Sequence, residues 1–278
     1  MGNIATTVEL FARDLWRAAK PRPPGVDVHF VSYPKCGRTW LELMLGMVLA
    51  SKIEADADAV NRNLYQFCKE HDIRPVIHST HDLSEITQET RNVAPASHLF
   101  YYDFRVRYWG RRVFMLVRDP RDTVVSSYYQ STKRAFNPVD VPDIDAFVLH
   151  PLYGFKRLIR FYEIWDRNAG LCTFHFESYE DLRSDTVGTM RRILGFLGID
   201  DVSSDRLDQI VEECSFDEMR KMERVEQAGL RAFEGESAQK ARKGRIGGYR
   251  SELRPETVEA LDEQMHLFPA RFGFAAKL

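Results

Sequence analysis

The chain has 278 residues, 44% of them hydrophobic and 29% charged, with a formal net charge of −2. That is ample for one sizeable core, and the near-neutral balance excludes a global basic field for nucleic acid. No stretch approaches the roughly 20 apolar residues of a membrane span. The four cysteines, Cys36, Cys68, Cys172 and Cys214, show no metal-ligand spacing. They are too few for a disulfide scaffold, so a reducing, cytoplasmic setting is expected.

In chain order, residues 3–20 are predicted to form a helix, because Ile4, Val8, Phe11, Leu15 and Ala18 recur at helical spacing. Pro21, Pro23 and Pro24 end it, so residues 1–24 read as an N-terminal helix and Pro-rich linker. Its mixed charge favours packing on its own domain over a membrane-surface or partner helix. Glu9, Arg13 and Asp14 break any apolar core, so no signal peptide is expected. Apolar runs suited to buried strands follow at 26–33, 75–80, 113–117 and 172–176. Helical patterns separate several of them, at 40–52, 123–131, 153–168 and 186–197. From Ser203 the chain reads as helical. Residues 225–248, rich in Gly, Glu and basic side chains, read as a long loop, functional or mobile. A last helix runs from Pro255 to about Phe268. Alternating strand and helix predicts one α/β domain over residues 1–278, a mostly parallel sheet with helices on both faces. Ligands of such sheets bind beyond the carboxyl ends of the strands.

One strand ends at Tyr33-Pro34 and is followed by Lys35-Cys36-Gly37-Arg38, a tight loop before a helix that begins near Thr39 or Trp40. A strand–loop–helix unit aims backbone N–H groups and a positive helix end at one point, which suits phosphate or sulfate. Lys35 lies on the same loop. This is not a Walker A loop, whose lysine follows the second glycine. A second strand enters Arg118-Asp119-Pro120-Arg121-Asp122, with Thr123 to Tyr129 read as a helix and Ser126 about two turns beyond Arg118. Arginine suits phosphate because its planar fork bonds it bidentately. The bland alternative is a bridge from Arg118 to Asp119 or Asp122. A basic, Gly-rich segment, Arg242-Lys243-Gly244-Arg245-Ile246-Gly247-Gly248-Tyr249, lies late in the chain.

Taken in order, these segments resemble the cytosolic-type sulfotransferases, over residues 30 to 250. Tyr33 to Trp40 is similar to that family's Y-P-K-S-G-T-T-W loop, with Cys36 in place of Ser and Arg38 in place of Thr. Residues 242–249 resemble its R-K-G-x-x-G-D-W, with Gly248-Tyr249 for Asp-Trp. Ser215-Phe216-Asp217-Glu218-Met219 matches S-F-x-x-M, and Tyr179-Glu180-Asp181 matches Y-E-D. Ser79-Thr80-His81 stands where the family has K-T-H. The resemblance implies a P-loop-like fold and transfer of a sulfuryl group from 3′-phosphoadenosine 5′-phosphosulfate (PAPS), leaving PAP, with no metal. It implies that Lys35, Cys36, Gly37, Arg38, Thr39 and Trp40 bind the donor's phosphosulfate end and base. Arg118, Ser126, Arg242, Lys243 and Gly244 would hold the 3′-phosphate, the late segment closing over it. Tyr179 would face the adenine, and Trp40 and Phe216 would stack on it. His81 would be the base, Lys35 would stabilise the leaving oxygen, and Ser126 would hold Lys35 between turnovers. Strand alternation sets His78 on the opposite face from His81.

The acceptor is expected to be a small-molecule, lipid or saccharide hydroxyl. The aromatic run 99–104 with Tyr108 and Trp109 reads either as an apolar acceptor pocket or as core. Two rivals stand beside this reading: a catalytically silent PAPS- or PAP-binding module, and a kinase of the same broad fold. Oligomeric state is not legible.

Overall fold

The computed structural model describes residues 23–53, 63–81, 84, 108–134, 138–215 and 245–274. The expected N-terminal helix and nearly all of the 225–248 loop lie outside them. Among the described residues, strands β1 (Val28–Ser32), β2 (Ile77–Thr80), β3 (Arg112–Val117) and β4 (Thr173–Ser178) form one sheet in the order β2-β1-β3-β4. Every pairing is parallel. The register brings Thr80, Val31, Met115 and Phe176 side by side, so the strands end along one edge.

Each residue of β1 is buried, and β3 is buried apart from its first residue. Both sheet faces are therefore covered, as the near-continuous apolar sequences require. Phe30 and Phe114, partners across β1 and β3, meet with ring centroids 5.1 Å apart. Helix α1 (Arg38–Ser51) follows β1 and is buried over most of its circumference, so it is an interior helix rather than an amphipathic one. Helix α2 (Leu64–Glu70) precedes β2; the sequence patterns did not single it out.

Helix α3 follows β3 and spans Pro120–Tyr129, continuing as a π-helical turn over Gln130–Arg134. It starts three residues earlier than the apolar pattern predicted. Asp119 caps it by accepting from the Arg121 N–H at 2.9 Å, and Pro120 opens it with its φ already helical. Helices α4 (Ile144–Leu149) and α5 (Phe155–Asn168) come next. From α5, Phe161, Tyr162 and Trp165 fill the core, with Phe161 against Tyr33 at 5.2 Å. The short helix α6 (Tyr179–Ser184) leaves β4 directly, followed by α7 (Thr186–Leu197), α8 (Ser204–Glu213) and, near the end, α9 (Pro255–Gln264). The last helix stops short of the expected Phe268 and gives way to 3-10 turns. The Trp40 indole N–H donates to the Cys214 carbonyl at 2.7 Å, tying α1 to the end of α8.

Candidate active site

The four described strand ends each carry one candidate segment: Lys35 after β1, His81 after β2, Arg118 after β3 and Tyr179 after β4. Neighbouring strands lie only about 4.8 Å apart, so residues distant in sequence converge.

The β1–α1 loop is built on two left-handed residues, Lys35 at φ 75° and Gly37 at φ 93°. For lysine this conformation costs on the order of 1 kcal/mol, and such strain concentrates at functional sites. Gly37 is required twice over: a Cβ there would lie 2.5 Å from the Tyr179 ring. Gly37 also caps α1 without any side-chain hydrogen bond, and no acidic residue stands in the first turn. The Trp40 and Leu41 N–H groups donate to the Gly37 carbonyl at 3.0 and 3.3 Å, so the Arg38 and Thr39 N–H groups at the helix start are the donors without a side-chain cap, an arrangement suited to an anion. Cys36 points the other way. Its fully buried Sγ lies 3.4 Å from the Tyr162 hydroxyl, and burial pushes the thiol up to about 11. It packs the loop onto the core and is not a nucleophile. Arg38, the departure from the family pattern, pairs with Glu42 at 3.5 Å.

Arg118 is held by backbone rather than by acids. Its Nη1 donates to the Lys35 carbonyl at 3.1 Å and its Nη2 to the Arg245 carbonyl at 3.4 Å. Its guanidinium sits 4.6 Å from the Tyr179 ring centre, a cation–π contact worth about 0.5–2 kcal/mol. The bridge from Arg118 to Asp119 or Asp122, weighed on sequence grounds, is not what forms. Asp119 pairs with Arg121 at 2.7 Å, and Asp122 accepts from the N–H groups of Gly247 and Tyr249 at 2.7 and 3.0 Å. Arg118 thus forms no ion pair with either acid, although its charge acts through space on the buried carboxyls of Asp122 and Glu180.

His81 reaches back to the end of β1, where its Nδ1 lies 2.7 Å from the Ser32 carbonyl oxygen. A carbonyl only accepts, so Nδ1 carries the proton and Nε2 keeps its lone pair. Burial first, then the charges of Arg38 and Lys35, lower His81 to about 3, against the bond to Ser32. The ring is neutral near pH 7. His78 instead meets the rings of His29 and Tyr65 edge-on, at 5.9 Å from each.

Trp40 and Tyr179 contact each other at 6.2 Å, and both are nearly buried. Thr39 and half-buried Ser126 stand on the first turn of α1 and the second turn of α3. Phe216, Arg242, Lys243 and Gly244 lie outside the described residues, as do residues 99–104. Tyr108 belongs to the core, 4.8 Å from Trp165, whereas Trp109 is 70% exposed. The sequence reading missed Glu180. Its Oε1 accepts from the Asp119 N–H at 3.1 Å, its Oε2 is buried with no hydrogen bond, and burial raises it to about 7. The Tyr179-Glu180-Asp181 match includes Glu180, but its contact with the Asp119 N–H is made at long range.

A parallel sheet whose strand ends present uncapped helical N–H groups, a strained lysine, an arginine and a neutral histidine defines an anion-handling α/β protein of the P-loop-like class. The comparisons narrow this. A family profile described as the sulfotransferase domain matches residues 26–273. Cytosolic sulfotransferase 1 of Danio rerio is 23% identical over 245 residues, covering 85% of this chain and 80% of that protein. Flavonol 3-sulfotransferase of Flaveria bidentis is 24% identical over 256 residues, covering 85% and 80%. Among solved structures, a mouse sulfotransferase complexed with PAP superposes with a TM-score of 0.60 at 19% identity, covering 95% of this chain and 90% of that one. Retinol dehydratase in complex with androsterone and PAP gives 0.57 at 20% identity, covering 91% and 84%; these likenesses carry the fold. The chain belongs to the sulfotransferase family, and it is an enzyme that passes a sulfuryl group from PAPS to a hydroxyl acceptor.

Proposed function

We propose that this site sulfates the hydroxyl of a small, largely apolar molecule, with His81 as the base and the Lys35–Thr39 loop and Arg118 as the donor's binding frame. The observation that carries the assignment is the meeting at one sheet edge of the uncapped start of α1, Arg118 held by backbone carbonyls, and His81 with Nδ1 committed to the Ser32 carbonyl. The residues present fit the donor. Gly37 leaves the start of α1 without a side-chain cap, which suits a phosphosulfate, and Arg118 supplies a positive group of the kind a 3′-phosphate requires.

The chemistry asks for position and charge more than for covalent help. The acceptor oxygen forms its bond to sulfur as the bond from sulfur to the leaving phosphate oxygen breaks. His81 takes the hydroxyl proton on Nε2 while Nδ1–H stays on the Ser32 carbonyl. Lys35 and the N–H groups at the start of α1 stabilise the charge that grows on the leaving oxygen. Ser126 steadies Lys35 between turnovers. Thr39 adds its backbone donor; Trp40 and Tyr179 shape the wall that receives the base, Phe216 stacking opposite, and Arg242, Lys243 and Gly244 complete the 3′-phosphate contacts.

The names of the relatives support a small-molecule acceptor: one is a flavonol sulfotransferase, and a structural neighbour holds androsterone. Lipid hydroxyls of similar reach belong to the same chemical class, and saccharide hydroxyls, being polar, are the contrasting case. We read the chain as one cytoplasmic domain, a placement supported by relatives named cytosolic. Among the described residues no helix is long and apolar enough to cross a membrane. Incubation with PAPS and a panel of phenols, alcohols and sugars, with mass-spectrometric detection, tests the assignment: sulfated phenol or alcohol is expected, and exclusive sulfation of sugars would overturn the acceptor class.

A further inference from the structure

We propose that Asp122 is a positioning residue for nucleotide selectivity: it fixes the segment 245–249 so that Arg118 is aimed at the donor's 3′-phosphate. This rests on the donor reading above.

Asp122 is 4% exposed, in the first turn of α3. It lies beside a group meant to attract phosphate, an unfavourable place for a second negative charge. Its two oxygens are nonetheless committed elsewhere. Oδ2 accepts from the Gly247 N–H at 2.7 Å and Oδ1 from the Tyr249 N–H at 3.0 Å. Gly247 is left-handed at φ 72°, which turns both N–H groups toward the same carboxylate. A Cβ at Gly248 would lie 3.7 Å from Oδ1, so the turn wraps closely around the acid.

The segment is held from its other side as well. The buried Tyr249 ring has the Arg121 and Arg250 guanidinium carbons each 4.9 Å from its centre. Arg121 is itself fixed by Asp119 at 2.7 Å and Asp262 at 2.6 Å. Two residues before Gly247, the Arg245 carbonyl accepts from Arg118 Nη2. The chain of contacts therefore runs from Asp122 through Gly247 and Tyr249 to the Arg245 carbonyl, and from there to the orientation of Arg118 over Tyr179. Lys35 O holds the other Nη and fixes Arg118 at one point only. The Arg245 carbonyl supplies the second.

A merely structural Asp122 lowers stability and weakens all nucleotides alike. A positioning Asp122 changes the contrast between PAP, which carries a 3′-phosphate, and ADP, which lacks it. Calorimetric affinities for both nucleotides in wild type, Asp122→Ala and Asp122→Asn, with folding checked by circular dichroism, separate the two. We expect Asp122→Ala to reduce the PAP-to-ADP affinity ratio about tenfold, the value of one charge-assisted bond, with ADP binding nearly unchanged. Asp122→Asn keeps one acceptor and the volume, so it restores part of the ratio and serves alone if the alanine variant does not fold. An unchanged ratio in the folded variants, whether both affinities stay or both fall together, overturns the proposal. A wild type that binds PAP and ADP equally overturns the donor reading instead.

Discussion

The units β1–α1 and β3–α3 are built alike, a buried parallel strand turning into a helix at the same sheet edge, yet they end differently. At the start of α1 the cap is Gly37, with no side chain to offer the Arg38 and Thr39 N–H groups. At the start of α3 the Asp119 carboxylate accepts from the Arg121 N–H, and Pro120 needs no acceptor at all. The first helix start is left uncapped, with a left-handed Lys35 before it. The second is closed for stability, and it presents a side-chain cation, Arg118, just before the helix. In the proposed reading, one supersecondary unit serves both as an anion cradle and as a rigid mount for a charge-reading residue.

Four substitutions break or sharpen that contrast. The largest effect belongs to His81, which neither helix start contains: His81→Ala should lower kcat by roughly 10²–10⁴ with PAP affinity nearly unchanged, as steady-state kinetics and calorimetry will show. Next, Gly37→Ala attacks the open end. A side chain at φ 93° and a contact 2.5 Å from Tyr179 should displace the loop, weakening PAP by about 10–100-fold, as expected for losing one or two charge-assisted bonds. Titration of the folded variant measures it. Asp119→Ala attacks the closed end and should show the reverse pattern. Loss of the cap and of the Arg121 pair costs on the order of 2–4 kcal/mol of stability in urea unfolding, with a smaller change in PAP affinity. The smallest effect is that of Glu180→Gln. Burial raises the Glu180 carboxyl to about 7 from an ordinary 4.5, so its favourable contribution is full below about 4.5 and lost as pH rises through 7. The glutamine variant should match wild type near pH 4 and be more stable above pH 7, by at most about 3 kcal/mol. Thermal melts across that range check the sign.

The His81 environment adds a pH signature. Because burial and the charges of Arg38 and Lys35 hold it to about 3, the acidic limb should lie far below pH 6.5 in kcat/KM for the free enzyme. A bound anionic donor offsets both charges, so the limb in kcat should sit at higher pH.

Much of this was legible in the sequence because it is local. The apolar runs located all four strands, and α7 spans 186–197 as its pattern predicts. Tyr33 to Trp40 displayed the tight strand-to-helix turn, since its turn residues share one octapeptide. What escaped was assembled at long range. Asp122 finds its partners in Gly247 and Tyr249, and Glu180 reaches the cap residue Asp119, contacts that no local pattern displays. The early start of α3 was available, as Asp119-Pro120 is a cap followed by a first-turn proline, but the apolar periodicity drew the boundary at Thr123. Tyr108 and Trp109 show the limit of aromatic runs as signals: the first is core and the second is on the surface.

Turnover with PAPS in the presence of the acceptor panel, following PAP and product together by mass spectrometry in wild type and His81→Ala, tests the central claim most directly. Equal amounts of PAP and a single sulfated hydroxyl product, lost in the variant while PAP binding remains, are the predicted result. Tight PAP binding with no product from any acceptor, or undiminished product in His81→Ala, would contradict it.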